Sequence, residues 1–328
     1  MGRSGERQDV ATRNGRRSGI VYVQLALGMI VFGSATPVSK LVTEAMPVFV
    51  GSTFRVFLGA LVLAPFAWSA REAVTRFERR DWLLVCLIAL VGMFGFTVAM
   101  LYGMRMITGV AGSIVMASTP AVTAAGAMLI FGESANWRKL TAIALAVAGI
   151  VLLHAGGSSA GGSGTMASSG GGGGLVSATM LGLLLVFVAV CCEATYTLLG
   201  RKMSRDFDPR LIAFAAAAIS LPLFVPFAAW QWQDFQPSQV GASGWMATVW
   251  YGAGTLALGS LLWYSGIART QGSIAAGFMA LMPVSALVLS YVLLGEAFRP
   301  IHLAGFATVF IGVLIMSWEH ARAAAGRS

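Results

Sequence analysis

Apolar runs about as long as a bilayer is thick follow one another along this chain, separated by short polar loops. They fall near Ile20–Val42, Val48–Trp68, Trp82–Tyr102, Gly109–Phe131 and Leu140–His154. After a glycine-rich break they resume near Thr179–Leu199, Leu211–Trp230, Trp245–Tyr264, Ile274–Leu294 and His302–Trp318. A hydrocarbon core about 30 Å thick needs about 20 residues of helix. The pattern therefore predicts an all-α polytopic membrane protein of ten transmembrane helices.

The second five runs repeat the first five. Pro120, Gly132, Glu133 and Gly149 are each followed 163 residues later by Pro283, Gly295, Glu296 and Gly312, and Trp82 by Trp245. Pro65 and Pro226 are 161 apart, and Pro47 and Pro209 are 162 apart. A unit of half the chain is far longer than a solenoid repeat, so the chain reads as a duplicated half-molecule. Five helices is an odd number, so the two copies lie inverted in the membrane, an arrangement typical of transporters. The expected organisation is a basic tail (residues 1–19), a first five-helix repeat (20–155), a flexible Gly/Ser loop (156–174), a second repeat (175–318) and a C-terminal tail (319–328). The loop is too poor in apolar side chains to offset its ordering entropy. Gly157-Ser158-Ser159-Ala160-Gly161 within it matches G-x-S-x-G in form only, because no strand and helix flank it.

Composition agrees: 57% of residues are hydrophobic and only 11% charged, which excludes an ordinary soluble domain. Cys86, Cys191 and Cys192 all lie in apolar runs and are expected to be buried free thiols. A net charge of +9 would suit nucleic acid, but the basic residues sit in short loops. With the N-terminus inside, eighteen of the 22 Lys and Arg fall on the inner side, only Arg105 and Arg299 on the outer, and Lys40 and Arg55 in or beside helices. That bias predicts cytoplasmic termini. Each repeat carries its own charge accordingly: residues 69–81 are arginine-rich while 231–243 have no Lys or Arg.

Ten helices in two inverted halves, each closing on a Pro-bearing helix, a Gly-Glu turn and a Gly-bearing helix, resemble the EamA-type drug/metabolite transporter superfamily. The residues that carry the likeness are Phe32-Gly33-Ser34 with Lys40, Pro120 through Gly132-Glu133, and Pro283 through Gly295-Glu296. Phe32 stands where the family's first-helix motif usually has Trp. Within the superfamily the chain looks most like bacterial exporters of aromatic and other neutral amino acids. The resemblance implies an inner-membrane protein with a central cavity between the halves, opened alternately to either side, with protons as a candidate coupling ion and no cofactor.

Candidate chemistry is sparse. Glu193 is an ionisable group inside a span, where it either marks a pathway or is held structurally by a neighbouring helix or a wet interface. Tyr196, in the same span, joins it as a candidate substrate contact. Lys40 and Arg55 suit a substrate carboxylate. Equally, Lys40 pairs with Glu44 at i, i+4, and Glu44 or Glu296 could neutralise Arg55. Thr97 and Met100, with their equivalents Ser260 and Trp263 and the adjacent Tyr264, offer mostly apolar walls with a few polar groups. Trp263 and Tyr264 also suit an interfacial aromatic belt. Pro120 and Pro283 are expected hinges. In the Gly-Glu turns, glycine ends one helix and glutamate faces the positive end of the next. Gly33 through Lys40 lacks the second glycine of a P-loop, and no H-E-x-x-H or other metal spacing occurs. A transporter of a neutral or zwitterionic, partly apolar solute is the reading; the rivals are a membrane-embedded enzyme and a non-transporting receptor.

Overall fold

The computed structural model describes residues 19–132, 137–158, 174–270 and 277–325. Among these residues all regular structure is helical. The ten helices are α1 (Gly19–Ala45), α2 (Val48–Trp68), α3 (Arg79–Met106), α4 (Gly109–Ile130), α5 (Trp137–Ser158), α6 (Gly174–Met203), α7 (Pro209–Trp232), α8 (residues 242–267), α9 (Leu281–Leu294) and α10 (Pro300–Ala325). Residues 19–45, 48–68, 79–106, 109–130, 178–203 and 209–232 are each long and apolar enough to cross a membrane. Helix α10 continues to Ala325, past the expected start of the C-terminal tail. The N-terminal tail before Gly19, loop residues 159–173, Glu133 and the first residues expected in the ninth span lie outside the described residues.

The duplication is visible in the packing. Helix α2 packs on its equivalent α7, α5 on α10 and α4 on α9, while the α3–α6 contact is matched by α8–α1 and α2–α8 by α7–α3. Local backbone repeats too. A π-helical segment interrupts α3 at Ile88–Gly95, and another interrupts α8 at Trp250–Leu258. Gly132 and Gly295 end their helices with φ of 64° and 61°, a left-handed conformation that a Cβ would strain. Helix α4 breaks at Ala117–Ser118 and the ninth at Met279–Ala280. The prolines follow these breaks directly: Pro120 is the second residue of the segment that starts at Thr119, and Pro283 the third of the one that starts at Leu281. A first-turn proline sacrifices no intrahelical hydrogen bond, so both mark the restart of a helix rather than a kink within it.

The core is a chain of apolar clusters between these pairs. The largest joins α2, α3, α6 and α7 through Val56, Ile88, Met93, Leu199, Ala216 and Phe224. Gly33 shows why the first-helix motif needs a small residue: a Cβ there would lie 2.5 Å from the Met282 carbonyl oxygen, so α1 and α9 touch backbone to backbone. Ser34 then interrupts α1, donating to the Val31 carbonyl at 2.6 Å and accepting from Trp250 Nε1 at 2.8 Å. Of the three free cysteines only Cys192 is buried. Cys86 and Cys191 are exposed, a correction to the expectation that all three are buried, because an apolar run in a membrane protein need not face inward.

Candidate functional site

Helix α2 carries Arg55 into the interior, where it is 6% exposed. Its guanidinium carbon stands 4.3 Å from the ring centroid of Tyr251 and 5.5 Å from that of Phe96. The α2–α8 approach is set by Gly252, where a Cβ would fall 2.6 Å from the Arg55 carbonyl oxygen, so the ring of the preceding Tyr251 can lie against the guanidinium. Both rings come from the π-helical interruptions: Tyr251 lies within one, and Phe96 follows the other. Such insertions shift the helix face by a residue and are frequent at functional sites. Nη1 of Arg55 donates to Thr97 Oγ1, while Nε and the Tyr251 hydroxyl are buried without hydrogen-bond partners. Neither Glu44 nor Glu296 neutralises Arg55, since Glu44 pairs with Lys40 and Glu296 bonds elsewhere.

Glu193 sits on the inward stripe of α6 that also carries the buried Val186, Ala189 and Val190. Unlike them it keeps some accessible surface. Its carboxylate accepts from Thr119 Oγ1 at 3.0 Å. The same hydroxyl lies 2.7 Å from the Met116 carbonyl, at the break in α4. Having one proton, it cannot donate to both at once. Cys192 and Tyr196, on either side of Glu193 in α6, pack on Gly95 and Gly92 of α3, just before the Phe96 and Thr97 that contact Arg55. Tyr196 and Tyr264 meet through their hydroxyls, and Tyr196 lies against α3 at Gly92, where a Cβ would fall 2.7 Å from its own. The structure thus brings Arg55, Thr97, Glu193 and Tyr196 into one neighbourhood drawn from both halves, with Tyr264 next to Tyr196.

The other sequence candidates lie apart. Lys40 donates to the Met104 carbonyl at 2.9 Å and stands 3.6 Å from Glu44. Met100, 1% exposed, packs with Met104, Val115 and Val186. Ser260 is buried and bonds the Leu256 carbonyl at 2.7 Å. Trp263 is half-buried and packs on Val21 and Leu25 of α1. Tyr251, Phe96 and Thr119 were missed from sequence. A mid-run tyrosine in a helix facing Arg55 was the available signal for the first; a threonine beside Pro120 gave none. Among the described residues no three His, Cys, Asp or Glu side chains gather as they would around a metal.

Comparison with known proteins places residues 18–155 and 180–318 in the EamA-like transporter family. An uncharacterised transporter of Bacillus subtilis, YetK, is 28% identical over 294 residues, covering 90% of this chain and 86% of its own length. A probable terminal-alkyne amino-acid exporter of Streptantibioticus cattleyicolor is 24% identical over 293 residues, covering 89% and 92%. A solved crystal structure superposes with a TM-score of 0.58 at 19% identity, covering 91% of this chain and 96% of that one.

Proposed function

The chain belongs to the EamA-like transporter family, and we propose that within it this protein is a secondary exporter of neutral or zwitterionic amino acids with apolar, chiefly aromatic, side chains. Glu193 carries the reading: a carboxylate inside a span, on the inward face of its helix, keeps accessible surface one turn from Tyr196. A charge in that position is expensive unless solute or water reaches it. Aromatic walls with a few polar groups suit an amphipathic solute. The similar amino-acid exporter supports the same class. The two inverted halves would rock about this site in alternating access, with protons as the candidate coupling ion. The bias of basic loops supports an inner-membrane protein with both termini in the cytoplasm. Purified protein in liposomes loaded with phenylalanine, tyrosine, leucine or glutamate should exchange the first three for labelled external solute and leave glutamate behind. Flux of none of the apolar amino acids overturns the assignment.

A further inference from the structure

Resting on that transport reading, we infer that Arg55 and Tyr251 form a carboxylate subsite, and that with Glu193 at the opposite pole they restrict transport to solutes bearing both a free carboxylate and a free ammonium.

The guanidinium is held so that only one edge remains for a ligand. Thr97 occupies Nη1, and the rings of Tyr251 and Phe96 lie against the group. What is left is Nε, buried without a partner, and Nη2, for which no partner appears among the described residues. Nε and Nη2 together are the fork that binds a carboxylate through two parallel hydrogen bonds. The ring stacked on the guanidinium carries a second unpartnered polar group, the Tyr251 hydroxyl, on a side chain that is 0% exposed. Unmade hydrogen bonds in a packed interior are unfavourable, and a buried charge with no carboxylate in contact with it more so. Two adjacent groups left this way describe a place short of one anion.

Its size and sign follow from the neighbours. Glu193 stands between Cys192 and Tyr196, which pack on Gly95 and Gly92 of α3 just before the Phe96 and Thr97 that contact Arg55, so a multiply charged anion would be repelled, whereas a single carboxylate carried with an ammonium would be attracted at both poles. The Glu193 carboxylate, bonded to Thr119 alone, retains acceptor capacity for that ammonium. A site built to bond a polar group rejects analogues lacking it far more strongly than an apolar wall rejects a wrong shape.

The test uses the full chain in nanodiscs and three ligands: phenylalanine, phenethylamine, which lacks the carboxylate, and 3-phenylpropanoate, which lacks the ammonium. Wild-type protein should bind phenylalanine at least about 100-fold more tightly than either analogue. Tyr251→Phe, which keeps the ring against Arg55, should weaken phenylalanine about tenfold and leave phenethylamine unchanged. Arg55→Gln should bring phenylalanine and phenethylamine to similar affinity. Phenethylamine binding wild-type protein as tightly as phenylalanine overturns the subsite, and so does Tyr251→Phe at wild-type affinity. In both cases the amino-acid flux of the liposome assay stands. Absence of all flux instead removes the transport reading and the subsite with it.

Discussion

Glu193 and Glu296 are both glutamates in an apolar bundle, and the structure uses them in opposite ways. Glu296, just past the left-handed Gly295, accepts from the backbone N–H groups of Gly109 and Val110. Those are first-turn donors of α4, which have no partner in their own helix, and the positive end of the helix dipole lies there too. Its carboxylate therefore binds one half of the molecule to the other. Alongside it, Ser113 and Ser290 share a 2.9 Å hydrogen bond. Glu193 has a single threonine hydroxyl and accessible surface. The number of fixed donors, not the residue type, separates a carboxylate that holds a seam from one that is free to meet a solute.

The contrast breaks most visibly at the seam. Hydrogen bonds to a charged group contribute about 1.5–3 kcal/mol each, so Glu296→Ala should favour states in which α4 and α9 part by about 100-fold or more. Spin labels at the start of α4 and the end of α9 should report a longer separation in that variant, while affinity for solute at the central site changes little. An unchanged distance distribution would mean that the serine contact alone holds the seam.

Glu193→Gln should act in the reverse sense. When Glu193 is ionised, Thr119 donates to it; when protonated, Glu193 can donate to Thr119, whose proton then turns to the Met116 carbonyl at the break before Pro120. Glutamine imitates the second state permanently. Affinity for an ammonium-bearing solute should fall about tenfold, the weight of one charge-assisted hydrogen bond, and the pH dependence of flux should flatten. Full pH dependence in a well-folded glutamine variant would dissociate Glu193 from any proton step.

Much of this was legible in the sequence because it depends on period and spacing. The ten helices, the inverted duplication and the left-handed glycines at Gly132 and Gly295 follow from run length, an offset of 163 and the preferences of glycine. The Gly-Glu turn was half legible: glutamate does meet the positive end of a helix, but for Glu296 that helix is α4 of the other half, not the one that follows. Sequence gives local neighbours, and this bond joins residues 186 apart. The π-helical segments left no trace in residue type, since they are a change of hydrogen-bond partner within equally apolar runs. Tyr251 stayed hidden with them, and so did the ring contacts that make Arg55 more than a stray cation.

A smaller effect tests whether Trp263, which lies apart from the poles, meets the solute at all. Trp263 packs on α1 and remains half-buried. If it stacks on the solute, Trp263→Ala should weaken phenylalanine and tyrosine several-fold more than leucine, since an aromatic pair adds about 0.5–1.5 kcal/mol beyond its buried area. Equal losses for both classes would assign it to packing against Val21 and Leu25.

Asp208 is the control for the seam, because it caps a helix from within the same segment. Its carboxylate accepts from the Arg210 backbone N–H and pairs with the Arg210 guanidinium at 2.8 Å, at the start of α7. Partial burial pushes this carboxyl up, but the bonds to Arg210 and its charge outweigh that and hold it below its ordinary value. A carboxyl lowered on folding stabilises the native state above its unfolded pKa, and the gain disappears as pH falls through the folded one. Asp208→Ala should therefore cost about 1 kcal/mol at neutral pH, as loss of a helix cap does, and nothing in strongly acid solution, where wild-type Asp208 is protonated as well. The label separation between α4 and α9 should stay at its wild-type value throughout. A change in that distance would show that any lost cap loosens the bundle, and Glu296 would then have no special claim to the seam.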